Sequence, residues 1–284
     1  MARLRKSRLS HVQIIALGYF IMILCGTALL MPLSAADGRP AGFRDALFTA
    51  TSASCVTGLV LRDTATGWSP FGQTVLLLLI QVGGLGFMTI ATMFFLILRR
   101  KMGLRKREIM VESINTTKVG GIMRLTKLIL LGTFSMELLG AALLALRFVP
   151  RYGVGKGLWF SLFHAVSAFC NAGFDLMGGE GGAFCSLVPL RDDVLVNGTV
   201  MALITAGGLG FLVWEDLWRN GLHWKRWKLH TKLVLVTSAV LTFGGAALIA
   251  LLEWNNPGTL GGLTPPQKLM AALFQSVTLR TAGF

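Results

Sequence analysis

Five apolar runs limit what this chain can fold into. They cover residues 13–33, 71–98, 125–149, 194–218 and 233–252. At about 1.5 Å of rise per residue, each is long enough to cross a hydrocarbon layer about 30 Å thick. The chain is 54% hydrophobic and only 14% charged, where a soluble domain carries about a quarter charged residues. Backbone in lipid must satisfy its own hydrogen bonds, so the expected class is an all-α polytopic membrane protein. The first run follows a basic stretch, as in a signal peptide. It is long enough to span and ends without a small-x-small cleavage site, so it is expected to be a retained helix.

A formal net charge of +14 raises the question of nucleic acid. Its placement answers it. Arg3, Arg5, Lys6 and Arg8 precede the first run, and Arg99, Arg100, Lys101, Arg105, Lys106 and Arg107 follow the second. Charge beside apolar runs orients helices and meets lipid headgroups, so the expected partner is the bilayer and not nucleic acid. With the N-terminus inside, segments 1–12, 99–127 and 219–232 hold 18 of the 27 Lys and Arg. The acids on that side are Glu108 and Glu112, with Glu215 and Asp216 closing the fourth run. The whole net charge then falls on the inner side. The cysteines Cys25, Cys55, Cys170 and Cys185 show no paired spacing, so neither a metal site nor a disulfide framework is expected.

Between the long runs lie three half-apolar stretches, 43–54, 157–170 and 266–279, too short to span. Segments of this length are often re-entrant, and this topology has all three dip in from the outside. They also repeat. FTATSASCVTGL at 48–59, FHAVSAFCNAGF at 163–174 and FQSVTLRTAGF at 274–284 share Phe, Ser/Thr and Gly in register. The third copy is one residue shorter between Phe and Gly. The motif GGLGF recurs at 83–87 and 207–211. Each unit therefore reads helix, half-membrane hairpin, helix. The expected units are 1–107, 108–231 and 232–284, about two and a half in all. The third stops just past its glycine, and the sequence reads as C-terminally truncated.

Irregular backbone at membrane depth is tolerated where it lines a water-filled path. A short helix followed by a glycine-containing strand can aim consecutive carbonyls at one axis and replace the water shell of a dehydrated cation. The negative end of the short helix adds to this. A lone Gly58, Gly173 or Gly283 would fit a turn or close packing equally well; the in-register trio points to ion selection. For the GGLG motifs, close helix packing is the expectation and a hinge the sharper alternative.

At these motifs the chain resembles the Trk/Ktr/HKT superfamily of potassium transporters, most closely the membrane subunit of the bacterial Ktr and Trk systems. The residues that carry the resemblance are SCVTGL at 54–59, Gly72-Gln73, QVGGLGFMT at 81–89, SAFCNAGFD at 167–175 and RTAGF at 280–284. The resemblance implies four helix–pore loop–helix units in pseudo-fourfold array around one pore. It implies K⁺ uptake with Na⁺ or H⁺ influence, and a homodimer regulated by a cytoplasmic nucleotide-binding ring. Carried over by motif, the filter residues are Val56, Thr57 and Gly58; Asn171, Ala172 and Gly173; and Thr281, Ala282 and Gly283. A fourth filter and the gating segment of the third unit are absent from this sequence, so a lone copy is not expected to close a four-sided filter.

Other residues carry expectations of their own. Glu137 lies inside the third run, where a carboxylate is by default a functional candidate. A structural partnership with a neighbouring helix or with Arg280 is the favoured reading. Arg280 itself is expected to point behind the third filter and brace it, since a cation facing the pore would repel cations. Asp63 and Asp175 follow their filters, either concentrating cations at the outer mouth or simply solvated. His164 is expected to pack, and Trp214, Trp218, Trp224 and Trp227 to sit in an interfacial belt. An intramembrane enzyme would need a nucleophile–base pair or metal ligands, and the spans offer only Glu137 and scattered Ser and Thr. The remaining alternative is a non-conducting subunit that only assembles with partners.

Overall fold

The structure is a computed structural model, and it describes residues 11–32, 40–86, 89, 122–221 and 223–284. The basic clusters at 3–8 and 99–107, and the second run beyond residue 86 apart from Thr89, lie outside the described residues. Every described element is helical: α1 His11–Leu30, α2 Phe43–Cys55, α3 Thr64–Gly67, α4 Pro70–Leu85, α5 Ile122–Tyr152, α6 Val154–Phe169, α7 Gly178–Gly181, α8 Val194–Gly208, α9 Phe211–Asn220, α10 Leu229–Glu253 and α11 Pro265–Thr281, with two short 3-10 turns.

Helices α1, α5 and α10 are long and apolar enough to cross a membrane. None of the apolar window of α10 is buried within the chain, so the sides that do not face α11 are covered by lipid or by other protein. The three half-apolar stretches form α2, α6 and α11, close to the bounds read from sequence. Local chemistry sets the ends of these elements. Ser69 caps α4 through Gly72 N–H, with Pro70 in the first turn, and Asp193 caps α8 through the N–H groups of Leu195 and Val196. Thr264 and Gln267 form a capping box on α11, again with proline in the first turn.

Helix α6 is the centre of the molecule: every residue from Phe163 through Phe169 is buried. It turns back sharply from α5 at Gly153, whose φ is +80°. Gly157 then lets the two helices touch, because a Cβ there would lie 2.7 Å from the Phe148 carbonyl oxygen.

The run 194–218 departs from expectation. It is not one straight span: α8 and α9 meet at 95° across Leu209 and Gly210. Gly210 adopts φ +85°, which glycine alone takes readily, and the Trp214 indole donates to the Ala206 carbonyl near the end of α8. Gly86, the matching glycine of the first unit, has φ +80° and ends α4. The GGLG motifs thus serve packing, as expected, and also set where the helix ends. Their first glycines pack, and their last breaks the helix.

Candidate functional site

The three short helices end alike. After α2, Val56 turns left-handed (φ 56°, ψ 45°); Val56 N–H donates to Ala53 O and Thr57 N–H to Ser52 O at 2.9 Å. After α6, Asn171 turns the same way (φ 58°), with Asn171 N–H on Ala168 O and Ala172 N–H on Ser167 O at 2.7 Å. These are Schellman-type closures. After α11, Ala282 and Gly283 both donate to Thr278 O. Each chain then passes a glycine at positive φ: Gly58 at 76°, Gly173 at 68° and Gly283 at 78°. Side chains are disfavoured there, which accounts for glycine in all three copies.

The three turns also converge. A Cβ on Gly58 would lie 2.8 Å from the Ala172 carbonyl oxygen and 3.4 Å from that of Ala282. A Cβ on Gly173 would strike the Ala282 carbonyl oxygen and lie 3.2 Å from Gly283 C. The Thr281 hydroxyl donates to Asn171 Oδ1 at 2.8 Å. Residues separated by more than a hundred positions therefore meet at one place, with main-chain carbonyls among the meeting atoms. Of the nine residues singled out from sequence, Gly58, Asn171, Ala172, Gly173, Thr281, Ala282 and Gly283 share these contacts. Val56 and Thr57 lie immediately before Gly58 on the same turn.

A hydroxyl steadies each turn from behind. Ser52, Ser167 and Thr278 stand four residues after the repeated Phe. Ser167 Oγ donates to Phe174 O at 2.6 Å, and Thr278 Oγ1 donates to Phe284 O while accepting from Phe284 N–H. In the first copy the Thr57 hydroxyl donates to Ser52 Oγ at 2.9 Å. The repeat showed Ser/Thr in register, but not that these hydroxyls tie the strand to its helix. Arg280 points away from the meeting point, as expected. Its guanidinium donates to Thr242 Oγ1, Ser238 O and Ser238 Oγ, fastening α11 to α10.

Glu137 is 3% exposed, and its partners are Gln81 Nε2, which donates at 2.9 Å, and the Cys170 thiol. It joins neighbouring elements, and its described hydrogen bonds do not include Arg280. His164 is fully buried against Phe148, Phe160 and Phe163. Its Nε2 accepts from Leu176 N–H while Nδ1 reaches Phe160 O, so it also binds the strand after the second turn to α6. Asp63 fits neither earlier reading. It is buried and caps α3 by accepting from Thr66, and it accepts from Phe184 N–H of the second unit. Asp175 accepts from Met177 N–H. Burial first, then the nearby Asp63 charge, raise its pKa to about 6. Gln73 was legible only as part of a motif. It donates to Trp68 O and accepts from the Trp159 indole at 3.0 Å, joining the first unit to α6.

Membrane-length apolar helices and three short helices ending on converging positive-φ glycines define an all-α polytopic membrane protein of repeated helix–short helix–helix design. A family model described as cation transport protein, TrkH, matches residues 14–284. Ktr system potassium uptake protein B of Bacillus subtilis (strain 168) is 44% identical over 277 residues, which make up 98% of this chain and 60% of that protein. Potassium/sodium uptake protein NtpJ of Enterococcus hirae is 44% identical over 286 residues, 99% of this chain and 61% of that protein. The crystal structure of the potassium transporter TrkH from Vibrio parahaemolyticus has a TM-score of 0.64 at 16% identity, covering 98% of this chain and 52% of that one. That last likeness is one of fold. The chain belongs to the TrkH family of cation transport proteins, a family of transporters and not of enzymes. It spans about 60% of the length of the curated relatives it matches.

Proposed function

We propose that this chain forms much of the wall of a K⁺ uptake pathway, and that backbone carbonyls of 56–58, 171–173 and 281–283 select the ion. The observation that carries this reading is the meeting of three repeat-related, positive-φ glycine turns at one point. Carbonyls held there by capped helices and hydroxyl ties can replace water around a dehydrated cation. The α2, α6 and α11 helices would point their negative ends towards it. Two relatives are named for uptake of potassium, or of potassium and sodium, which supports K⁺ as cargo; Na⁺ as a coupling or activating ion is part of the same proposal. The units 1–107, 108–231 and 232–284 are proposed as successive sectors of the wall, in pseudo-fourfold array. The protein is placed in the cell membrane with its N-terminus cytoplasmic, as a homodimer that engages a cytoplasmic nucleotide-binding ring.

The test is growth rescue at low K⁺ in a bacterium lacking its own K⁺ uptake, using the product of the native gene and the Gly173→Ser variant at matched membrane levels. Rescue by the wild type, and a lower K⁺-over-Na⁺ preference in the variant, are expected. Failure of the wild type to carry K⁺ would favour an assembly subunit that does not conduct. Unchanged preference in the variant would remove Gly173 from the filter.

A further inference from the structure

We propose that Trp218 and the turn from His223 to Lys232 form a binding surface for anionic phospholipid headgroups. This rests on the chain spanning a membrane and not on which ion it carries. Helix α9 leaves α8 at 95°, so if α8 stands in the bilayer, α9 runs close to its plane. Helix α9 and the turn after it are rich in tryptophan: Trp218 is 78% exposed and Trp224 48% exposed, and Trp224 stacks near Trp227 with ring centroids 5.2 Å apart. Large aromatic surface left open at a membrane-plane helix is the signature of the headgroup layer, where apolar ring and polar N–H are both satisfied.

The charges fit the same partner. Lys225, Arg226 and Lys228 are exposed, and Lys232 Nζ lies 5.8 Å from the centre of the Trp224 ring. The two acids of α9 are already occupied. Glu215 pairs with Arg219 at 2.9 Å. Asp216 is buried and accepts from Asn220 Nδ2 and from Lys228 N–H at 2.8 Å, which folds the basic turn back onto α9. The Trp227 indole donates to Gly221 O at 2.8 Å, closing the same turn. Among the described residues no carboxylate forms an ion pair with Lys225, Arg226, Lys228 or Lys232. The result is a braced turn that presents cations beside exposed indoles. A soluble acidic partner would explain the cations, but not the exposed indoles at the foot of a membrane helix.

The experiment reconstitutes the whole protein in phosphatidylcholine nanodiscs that contain a minor fraction of brominated lipid, either phosphatidylglycerol or phosphatidylcholine. The fluorescence owed to this surface is the difference between wild type and Trp224→Phe/Trp227→Phe. Each cation near an anionic surface adds favourably to binding, so brominated phosphatidylglycerol should quench this signal at least about fivefold more strongly than brominated phosphatidylcholine. The preference should collapse in Lys225→Gln/Arg226→Gln/Lys228→Gln, whose exposed sites leave the fold intact. It should also collapse in about 1 M salt, where the Debye length is about 3 Å. Equal quenching by the two lipids, or a preference untouched by the triple variant, overturns the proposal. So does a signal that neither lipid quenches, which would place the turn in water, where a protein partner could dock.

Discussion

Replacing Gly173 with alanine perturbs the converging turns at their tightest point. Two costs can be read from the structure. The residue sits at φ +68°, where an L-residue loses about 1–2 kcal/mol relative to glycine. The new Cβ would also strike the Ala282 carbonyl oxygen of the third turn. That oxygen belongs to main chain just past the last turn of α11, so it cannot swing aside as a side chain would. If the clash is relieved by turning this carbonyl, a cation bound there loses one charge–dipole partner, an interaction of about 1.5–3 kcal/mol on the scale of hydrogen bonds to charged groups. At 1.4 kcal/mol per tenfold, K⁺ preference over Na⁺ should fall by up to about 10- to 100-fold, the full value applying where the smaller Na⁺ does not reach that carbonyl and so loses nothing. Uptake of rubidium tracer against rising Na⁺, in cells with matched protein levels, measures it. Gly210→Ala is the control: its φ is +85°, but nothing lies within 4 Å of the added atom. It carries backbone strain alone, away from the turns, and should leave the preference unchanged. Equal effects of the two variants, or none from Gly173→Ala, would refute the assignment of these carbonyls to the ion path.

Four further outcomes follow from other contacts. Glu137→Ala strands the Gln81 amide and should cost about 1–3 kcal/mol, seen as a lower melting temperature in detergent; Glu137→Gln keeps an acceptor and should lose less. Burial raises the Asp175 pKa to about 6, above the ordinary carboxylate range. Its folded form therefore holds the proton longer than the unfolded form, and its contribution is fully present below about pH 4 and lost as pH rises through about 6; Asp175→Asn should accordingly raise the melting temperature at pH 8 and leave it nearly unchanged at pH 4. Gly207→Ala would drive a methyl into the Phe169 carbonyl and should destabilise strongly, whereas Gly244→Ala, with open space around it, should be neutral or gain up to about 1 kcal/mol. For topology, cysteines placed at Leu59 or Leu61, which are 62% and 50% exposed, should react with a membrane-impermeant thiol reagent in intact cells, and a cysteine at Lys225 should not; the reverse pattern would invert the orientation.

The periodic and compositional features were legible in the sequence. Apolar length gave the three described helices of spanning length, α1, α5 and α10, and intermediate length gave α2, α6 and α11. The in-register Phe, Ser/Thr and Gly gave the turns that meet in space. What stayed hidden depends on geometry between segments. The run 194–218 is apolar throughout, so composition could not show the break; it follows from Gly210 leaving right-handed φ and from Trp214 taking up the Ala206 carbonyl. Asp63 sits in a loop sequence like any solvated acid. It is buried against the second unit, where Phe184 N–H, 121 positions away, donates to it and Gly178 lies beside its carboxylate. Glu137 was legible as a buried carboxylate in need of a partner, but not as the partner of Gln81, because the spacing of two spans does not give their rotation about their axes.

The asymmetry of the repeat ties the GGLG motif to the turns. Val56 and Asn171 are non-glycine residues in the left-handed region. Asparagine tolerates that conformation, but for a β-branched valine it is a genuine outlier. Such strain persists only where the surroundings over-determine it. The surroundings here are the first glycines of the two motifs. A Cβ on Gly83 would meet the Ser54 carbonyl and lie 3.1 Å from Val56 Cγ2, and one on Gly207 would meet the Phe169 carbonyl and lie 3.0 Å from Asn171 Nδ2. Ser54 and Phe169 occupy the same register of the repeat. In each of the first two units, therefore, a bare stretch of the following helix receives the end of the short helix and leaves room for the left-handed residue beside it. The third copy is one residue shorter, and that residue is the missing left-handed one. Thr281 stays in the last turn of α11 and spends its hydroxyl on Asn171 instead. The three turns are thus related by sequence but not equivalent in shape, and a cation at their meeting point would face two strands that enter through a left-handed residue and one that enters straight from its helix.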